Sequence, residues 1–426
     1  MRTAKKKYWA GVDWGDKNHV LCILSGKNDY VCCKRFPHDA QGVAEIVLAL
    51  RKYSGLVGVA IETSKHVLVD TLVREGLTVY PINPKMSHAW QECVSVAAPK
   101  NDMRDARVLA NGLCLYEKDL RPLELDTPQM RQLSMLCEHE QHLIGQRTAL
   151  VCELKAVLKR YFPLVLPWFD KWTEPAAWRF VQKFSTPGLL ANATKADLCG
   201  WFKGHRLSLS NKRLKHIEQR QKVLELTGDS VMHDIFAMRV SAIVGQLLAA
   251  QKGIDEHRQE IDLLFPKLPQ AEIFSSLPGA GASLAPRLMT IFGTKQERFE
   301  DAFSVSKLCG VVPIEWQSGN HYTIHFRHAC RKNARNALHV FAWVSLRYCS
   351  WAKVFYERCR ERNQSNALAL RNLAAKWVKI LFRMWRDNVP YDENKYLKAL
   401  TKSTSPVAAV LAERAKEAVD NLEATA

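Results

Sequence analysis

Residues 8–25 read YWAGVDWGDKNHVLCILS, and residues 56–62 read LVGVAIE. The first stretch is two short apolar runs around a polar turn, the pattern of two paired strands. The second is a continuous apolar run that ends on an acid, the mark of a strand buried on both faces. Working outward, YVCCKRF at 30–36 supplies a third strand and completes an antiparallel meander. Val43, Ile46, Val47 and Leu50 recur at helical spacing over 40–53. Residues 65–75 are helical, LTVYPIN at 77–83 is strand-like, and helical periodicity resumes from Asp102 to Tyr116. The order of three strands, helix, strand, helix, strand, helix specifies an α/β layer with a mixed sheet.

Beyond Thr127 the character changes. Residues 127–161 and 206–265 are long amphipathic helical patterns, read as a helical or coiled-coil region. Between them lie Trp168, Trp172, Trp178 and Trp201, which read as core anchors with base-stacking platforms as the alternative. Lys212, Arg213, Lys215, Arg220 and Lys222 mark either a phosphate-contacting face or a solvated one. LPGAG at 277–281 places Gly279 and Gly281 in a turn that opens a helix. Such a turn suits a phosphate through its backbone N–H groups, and equally serves as a plain link between helices. A small hairpin is expected within 311–326 inside an otherwise helical C-terminal part. The domains are then 1–125 (α/β), 126–270 (helical, coiled-coil), 271–400 (mostly helical) and 401–426 (a tail helix).

The chain has 426 residues, with 61 Lys and Arg against 43 Asp and Glu, a net charge of +18. A pI near 9.4 favours a polyanionic partner, usually nucleic acid. The excess is concentrated: His321 to Arg386 holds fourteen basic residues against Glu357 and Glu361, a net +12. Apolar residues at 47% are ordinary for a globular protein and exclude collagen-like or fully disordered classes. No uncharged apolar run reaches a membrane span of ~18 residues. Asp13 and Asp16 break the apolar stretch behind the basic start, so a cytoplasmic chain is expected. The twelve cysteines form no CxxC pair and read as reduced thiols packed as small hydrophobes.

Four carboxylates stand out. Asp13 ends the AGVD strand and Glu62 ends VGVAIE. Asp102 and Asp105 lie in NDMRDA at i and i+3, on one helix face. Four carboxylates gathered together repel one another, and a divalent cation reverses that penalty. Hard oxygen donors of this kind favour Mg²⁺ or Mn²⁺. Two such ions assist both the attacking and the leaving oxygen at a phosphate.

The meander with Asp13, the strand with Glu62, and Asp102-x-x-Asp105 together resemble the RuvC-like, RNase-H-fold domain of the DEDD transposases of IS110 insertion sequences. LPGAG at 277–281, GVVPIEWQSGN at 310–320 and the basic RHACRKNARNALH at 327–339 resemble the same family's second domain. Two features depart from it: Arg331-Lys332-Asn333 replaces a Lys-Arg-Gly run, with Asn333 able to keep a left-handed turn, and the helical insertion is long.

The resemblance implies a transposase that cuts and rejoins DNA. The four acids would bind the metal ions. Ser318, in Gln317-Ser318-Gly319, would be a nucleophile that joins covalently to DNA; on its own residues it reads as a turn serine. Arg327, Arg331, Lys332 and Arg335, with Gly279 and Gly281, would contact nucleic acid. The implied partners are element and target DNA, a non-coding bridge RNA, and further copies of the chain in a dimer or tetramer whose active site is composite. Such an enzyme would be associated with the nucleoid. The alternative is a RuvC-like nuclease that hydrolyses branched DNA with metal-activated water and has no need of Ser318. A non-enzymatic nucleic-acid scaffold ranks third.

Overall fold

The computed structural model describes residues 6–26, 29–64, 66–94, 101–224, 230–403 and 405–423. The chain divides into two compact units, Met1–Leu125 and Asp126–Ala426.

In the first unit, β1 (Tyr8–Asp13), β2 (Asn18–Ser25) and β3 (Asp29–Pro37) form the expected antiparallel meander. β4 (Leu56–Ile61) lies parallel to β1, and β5 (Val79–Pro81) parallel to β4. The sheet order is β3-β2-β1-β4-β5. One face packs Ala10, Val12, Val59 and Ile61 against Ile46 and Leu50 of α1 (Ala40–Arg51) and Leu68 and Leu72 of α2 (Val67–Arg74). Asp39 caps α1 by accepting from Gly42 N at 2.7 Å. The other face packs Trp9, Ala60 and Tyr80 against Leu109 and Leu113 of α4 (Asp102–Tyr116).

A single residue lets α4 rest there. A Cβ on Gly11 of β1 would lie 2.1 Å from Ala106 O and 2.4 Å from Ala110 N. Helix backbone therefore sits directly on the central strand.

Several expectations change. A helix not expected from the sequence, α3 (Pro84–Val94), precedes α4, and its Trp90 stacks on Tyr116 with ring centroids 5.6 Å apart. Cys22 and Cys33 face each other across β2 and β3 and form a disulfide, so these two are not free thiols. The strand register brings them opposite one another, which their spacing in sequence hides. Lys65, at the start of the expected 65–75 helix, and part of the basic start (1–5) lie outside the described residues.

In the second unit, α5 (Pro128–Tyr161) packs along α6 (His233–Leu264). Arg258 donates to the buried Glu140 through Nε and Nη2, at 3.2 and 2.8 Å, and ties the pair together. The helical pattern over 206–265 is not one helix: a short helix at Asn211–Glu218 and two 3₁₀ turns, Arg220–Leu224 and Ser230–Met232, come before α6. Residues 225–229 of that stretch lie outside the described residues. All four tryptophans of the 168–201 stretch are buried in one cluster, as core anchors.

A second core gathers α7 (Gly281–Phe292), α8 (Lys332–Ser345), α9 (Ser350–Glu361) and α10 (Asn366–Asp387) around Trp351, Trp377 and Trp385. The hairpin is present as β6 (Ile314–Ser318) and β7 (His321–His325). The chain continues through α11 (Glu393–Lys402) and α12 (Pro406–Glu423). Among the described residues no helix is long and apolar enough to cross a membrane.

Gly11→Ala should lower the unfolding free energy by about 3 kcal/mol, because the added methyl meets backbone and not a yielding side chain. Gly145→Ala is the control. That glycine sits on α5 with no atom within 4 Å of an added Cβ, and helix propensity predicts a gain of up to about 1 kcal/mol. Thermal denaturation of both variants checks the pair, and a wild-type transition for Gly11→Ala would contradict the α4 contact.

Candidate carboxylate site and serine hairpin

Strand alternation decides where the acids point. Trp9 faces α4, so Gly11 and Asp13 do as well. On β4, Ala60 faces α4, so Glu62 continues that side. Val12 and Ile61 are register partners on parallel strands. The next residue on each chain is Asp13 and Glu62. The sheet thus carries both acids to one end and one face. Asn101 caps α4, accepting from Met103 N at 2.9 Å, so Asp102 and Asp105 fall in the first turn. Ala106, beside Asp105, is the residue that touches Gly11. The positive end of the helix dipole favours two carboxylates there.

Other side chains hold three of these acids. Arg35 of β3 pairs with Asp102 at 3.1 Å, with both side chains about half exposed. Ser87 Oγ donates to Glu62 Oε1. Gln91 Nε2 donates to Asp105 Oδ1 at 2.9 Å. Among the described residues, no three His, Cys, Asp or Glu side chains stand close enough to hold a metal ion as they lie. The structure therefore brings the elements together without a closed cage. The donor chemistry, all hard oxygen, fits a divalent cation.

Ser87 and Gln91 were not anticipated, because both sit on α3. A start signal was present: Asn83 accepts from Lys85 N at 2.9 Å, and Pro84 occupies the first helical position. Arg35 lies in YVCCKRF and carried no signal beyond charge.

A second cluster, of histidines, was also missed. His19 is fully buried, and its Nε2 lies 2.8 Å from His38 Nδ1. The rings of His38 and His66 are 5.3 Å apart. His19 Nδ1 accepts from Gly15 N at 3.4 Å, in the loop after Asp13, which leaves Nε2 to donate to His38. Burial, then His38 and His66, push the His19 pKa down to about 4. Burial and His38 also lower that of His66, against the opposing pull of Asp16 and Asp70. His19 and His66 thus favour the neutral form, and a neutral His19 anchors the loop.

In the second unit, Ser318 is the last residue of β6 and lies directly opposite His321. Gly319 has φ 57° and Asn320 does not share that sign, the pattern of a II′ hairpin turn. Directly opposed residues share a face, so Ser318 stands with Trp316, His321, Thr323 and His325. His321 was not singled out from sequence, and only the register reveals it.

The basic residues expected to touch nucleic acid are largely spent on the fold. Arg327 donates to Val312 O and Pro313 O, both at 3.3 Å. Arg331 pairs with Glu138 at 2.8 Å and also donates to Ser134 Oγ and Thr290 O. Arg335 donates to Arg327 O and lies over the Phe326 ring. Lys332 is exposed at the start of α8. Asn333 is helical, so no left-handed turn survives there. Lys212 pairs with Asp170, Arg213 donates to Ser208 O, and Arg220 to Ala193 O. Gly279 has φ 76°, and an added Cβ would lie 2.4 Å from the Tyr348 ring, so packing demands this glycine. Gly281, with φ 55°, has open space around it.

Residues 10–163 match the DEDD transposase family of IS110 type, and residues 271–357 match the transposase family IS116/IS110/IS902. The first match covers every acid of the site, and the second covers the serine hairpin. Together they define a transposase, an enzyme acting on DNA. The chain belongs to the IS110 family of DEDD transposases.

The mini-circle putative transposase for IS117 of Streptomyces coelicolor is 25% identical over 409 residues, which cover 93% of this chain and 98% of that protein. An uncharacterized 43.6 kDa protein of the insertion element IS110, from the same organism, is 23% identical over 399 residues, covering 90% and 95%. A putative transposase of Sinorhizobium fredii is 28% identical over 210 residues, covering 48% and 58%.

The His19 pKa sets a pH dependence. As pH falls from about 6.5 to 4, the unfolded chain takes up a proton that the folded chain refuses. The stability from a neutral His19 is therefore complete above about pH 7 and is lost as pH falls through that window. Urea titrations should show the wild type losing on the order of 2 kcal/mol more than His19→Gln between pH 7 and 4. Parallel pH profiles would contradict a neutral His19.

Proposed function

We propose that this transposase cuts and rejoins DNA with metal-binding carboxylates on an RNase H-like, RuvC-like domain and with Ser318 as the nucleophile. One observation carries the reading. The register Val12↔Ile61 and the Gly11–Ala106 contact bring Asp13, Glu62 and the first turn of α4 to one end of the sheet. The strand order β3-β2-β1-β4-β5, with its antiparallel meander and two parallel strands, supports the RNase H-like assignment.

Asp13, Glu62, Asp102 and Asp105 would hold Mg²⁺ or Mn²⁺. When bound, the ions supply charge neutralisation at the scissile phosphate. To hold such an ion Asp102 would give up Arg35, while Glu62 and Asp105 have lone pairs beyond those that Ser87 and Gln91 occupy. Those partners keep the acids neutralised or hydrogen-bonded meanwhile. Ser318 Oγ gives up its proton, its bond to phosphorus forms, and the bond from phosphorus to the bridging oxygen breaks. The leaving strand end carries off a hydroxyl, and the serine holds the phosphate for rejoining.

The remaining expectations extend this reading. The domains divide at 1–125, 126–270, 271–400 and 401–426, with α5 and α6 forming a coiled-coil-like pair that serves oligomerisation. A bridge RNA selects sequence by pairing, and the enzyme works at the nucleoid.

Ser318→Ala should abolish covalent protein–DNA adducts, a fall of about 10³-fold or more, while DNA binding persists. Asp13→Asn, Glu62→Gln, Asp102→Asn and Asp105→Asn should each stop strand cleavage, as should EDTA, with restoration by Mg²⁺ or Mn²⁺. Denaturing gels of labelled element ends read both. Adducts that survive Ser318→Ala remove the serine from the reaction. Cleavage undiminished in that variant, with all four acids still required, favours the water-using nuclease instead.

A further inference from the structure

The net +12 of residues 321–386 is not all absorbed by the fold. Arg383 pairs with Asp387, Arg386 donates to Glu300 O, and Arg358 to Pro406 O. Lys376 and Lys379 differ. They lie on one flank of α10 at i and i+3, and among the described residues neither ammonium has an anionic partner. Lys376 is half-buried, and burial together with Lys379 holds its pKa below the usual lysine range. Two unpaired like charges, one of them desolvated, are costly without an anion between them.

An anion has a place to go. α10 ends at Asn388, in the left-handed conformation with φ 53°, and the chain turns into α11. The corner between the two helices is a cavity of about 420 Å³, large enough for one small ligand. Lys376, Lys379 and, from α11, Lys395 stand on it. Met384, Val389 and Tyr396 give it an apolar wall, and Arg383 also stands on it. The Tyr396 hydroxyl is shielded from water and has no hydrogen-bond partner among the described residues. The Tyr396 ring is itself backed by Trp351, with centroids 4.7 Å apart. Asp387 and Asp392, also on the lining, are occupied by Arg383 and by Lys395 N.

Such a site takes a ligand with a flat, mostly apolar body, polar edges and negative charge beside it. The chain acts on DNA, so the polyanion at hand is a polynucleotide. A duplex keeps its bases stacked inside and presents no single base to a concave corner, whereas a single strand does. We propose that the α10–α11 corner binds one unstacked nucleotide of a single strand, its base against Tyr396, Met384 and Val389 and its flanking phosphates on Lys376, Lys379 and Lys395. The proposal stands on the chain's being a transposase, not on Ser318 or the four acids. Ser318→Ala therefore leaves the measurement below unchanged, and failure of either idea is read separately.

The test is fluorescence anisotropy on the full chain with a short labelled single strand. DNA and RNA of one sequence form two arms, a duplex forms a third, and the same strand with abasic central positions a fourth. Lys376→Ala combined with Lys379→Ala should weaken single-strand binding about tenfold. It should also flatten the salt dependence by about 1.4 in log–log slope, at ~0.7 per phosphate contact. Duplex binding should change less than about twofold on that scale of phosphate contacts. Tyr396→Leu, which keeps the apolar wall and removes the ring, should weaken the intact strand and leave the abasic strand unmoved. Thermal denaturation checks that both variants stay folded. Loss in both the DNA and RNA arms assigns the site to nucleotides in general, and loss in one arm names its strand. Wild-type affinity in the double-lysine variant, an equal loss on duplex, or an abasic strand that binds as tightly as the intact one overturns the proposal.

Discussion

The carboxylate end of this protein depends on a side chain that is absent. With no Cβ on Gly11, the backbone of α4 lies on the central strand, its carbonyl at Ala106 and amide at Ala110 closer than any methyl would allow. An α-helix normally stands off a sheet by the depth of two side-chain layers. Here one layer is missing, and the backbone of α4 at Ala106 and Ala110 sits on β1 itself. Asp105 is the covalent neighbour of Ala106, which cannot retreat from Gly11. The position of the acids is thus a packing consequence, fixed by the interior before any electrostatic term acts. Electrostatics then decides what the acids do. The N-terminal end of α4 lowers the cost of two negative charges, while Arg35, Ser87 and Gln91 occupy three of the four carboxylates.

Charge in the second unit shows the converse. Its guanidinium groups are numerous, but those near the hairpin act mainly as internal ties. Arg327, Arg331 and Arg335 close the segment after β7 against backbone carbonyls and Glu138. Arginine suits this work because its fork satisfies several acceptors at once, whereas lysine presents a single point charge. The lysines are correspondingly left over: Lys332 at the start of α8, and Lys376 and Lys379 on α10. A count of positive residues overstates the surface offered to a polyanion, and the separation of arginine from lysine corrects it.

Much of the architecture could be read directly from the residues. Apolar runs at 8–25 and 56–62 identified strands, because burial on both faces leaves no polar alternation to confuse the pattern. The acids at their ends, Asp13 and Glu62, were visible for the same reason. The hairpin at 314–325 was marked by its Ser318-Gly319 turn. What escaped depends on partners distant in sequence. α3 is only weakly apolar, since its packing is carried by Trp90 against Tyr116 of α4, and its Asn83-Pro84 start was the one local sign. The histidine cluster joins residues 19, 38 and 66 from three elements, so no window of sequence contains it. The Cys22–Cys33 bond and the Ser318–His321 pairing are statements about register, which spacing alone does not define. Asn333 was read as a turn former, but the helix that starts at Lys332 took it in, as tertiary context overrides a weak local preference.

The two chemical groups sit on elements of unequal stiffness. Asp13 and Glu62 extend from the centre of a five-stranded sheet that is covered on both faces, and their backbone directions are set by buried neighbours. Ser318 extends from a two-stranded ribbon whose side chains are exposed, with Trp316 at 65%, Tyr322 at 55% and Ile324 at 63% accessible. An isolated two-stranded ribbon is marginal in water, and three large apolar side chains in solvent add to its cost. The acids are therefore positioned by folding itself. The hydroxyl, on the proposed reading, acquires a fixed position only when those exposed faces are covered, and a serine that is poorly placed in free solution is also one that does not attack indiscriminately. The stiffness of the sheet end and the softness of the ribbon follow from what covers each: two packed faces in the first case and solvent in the second.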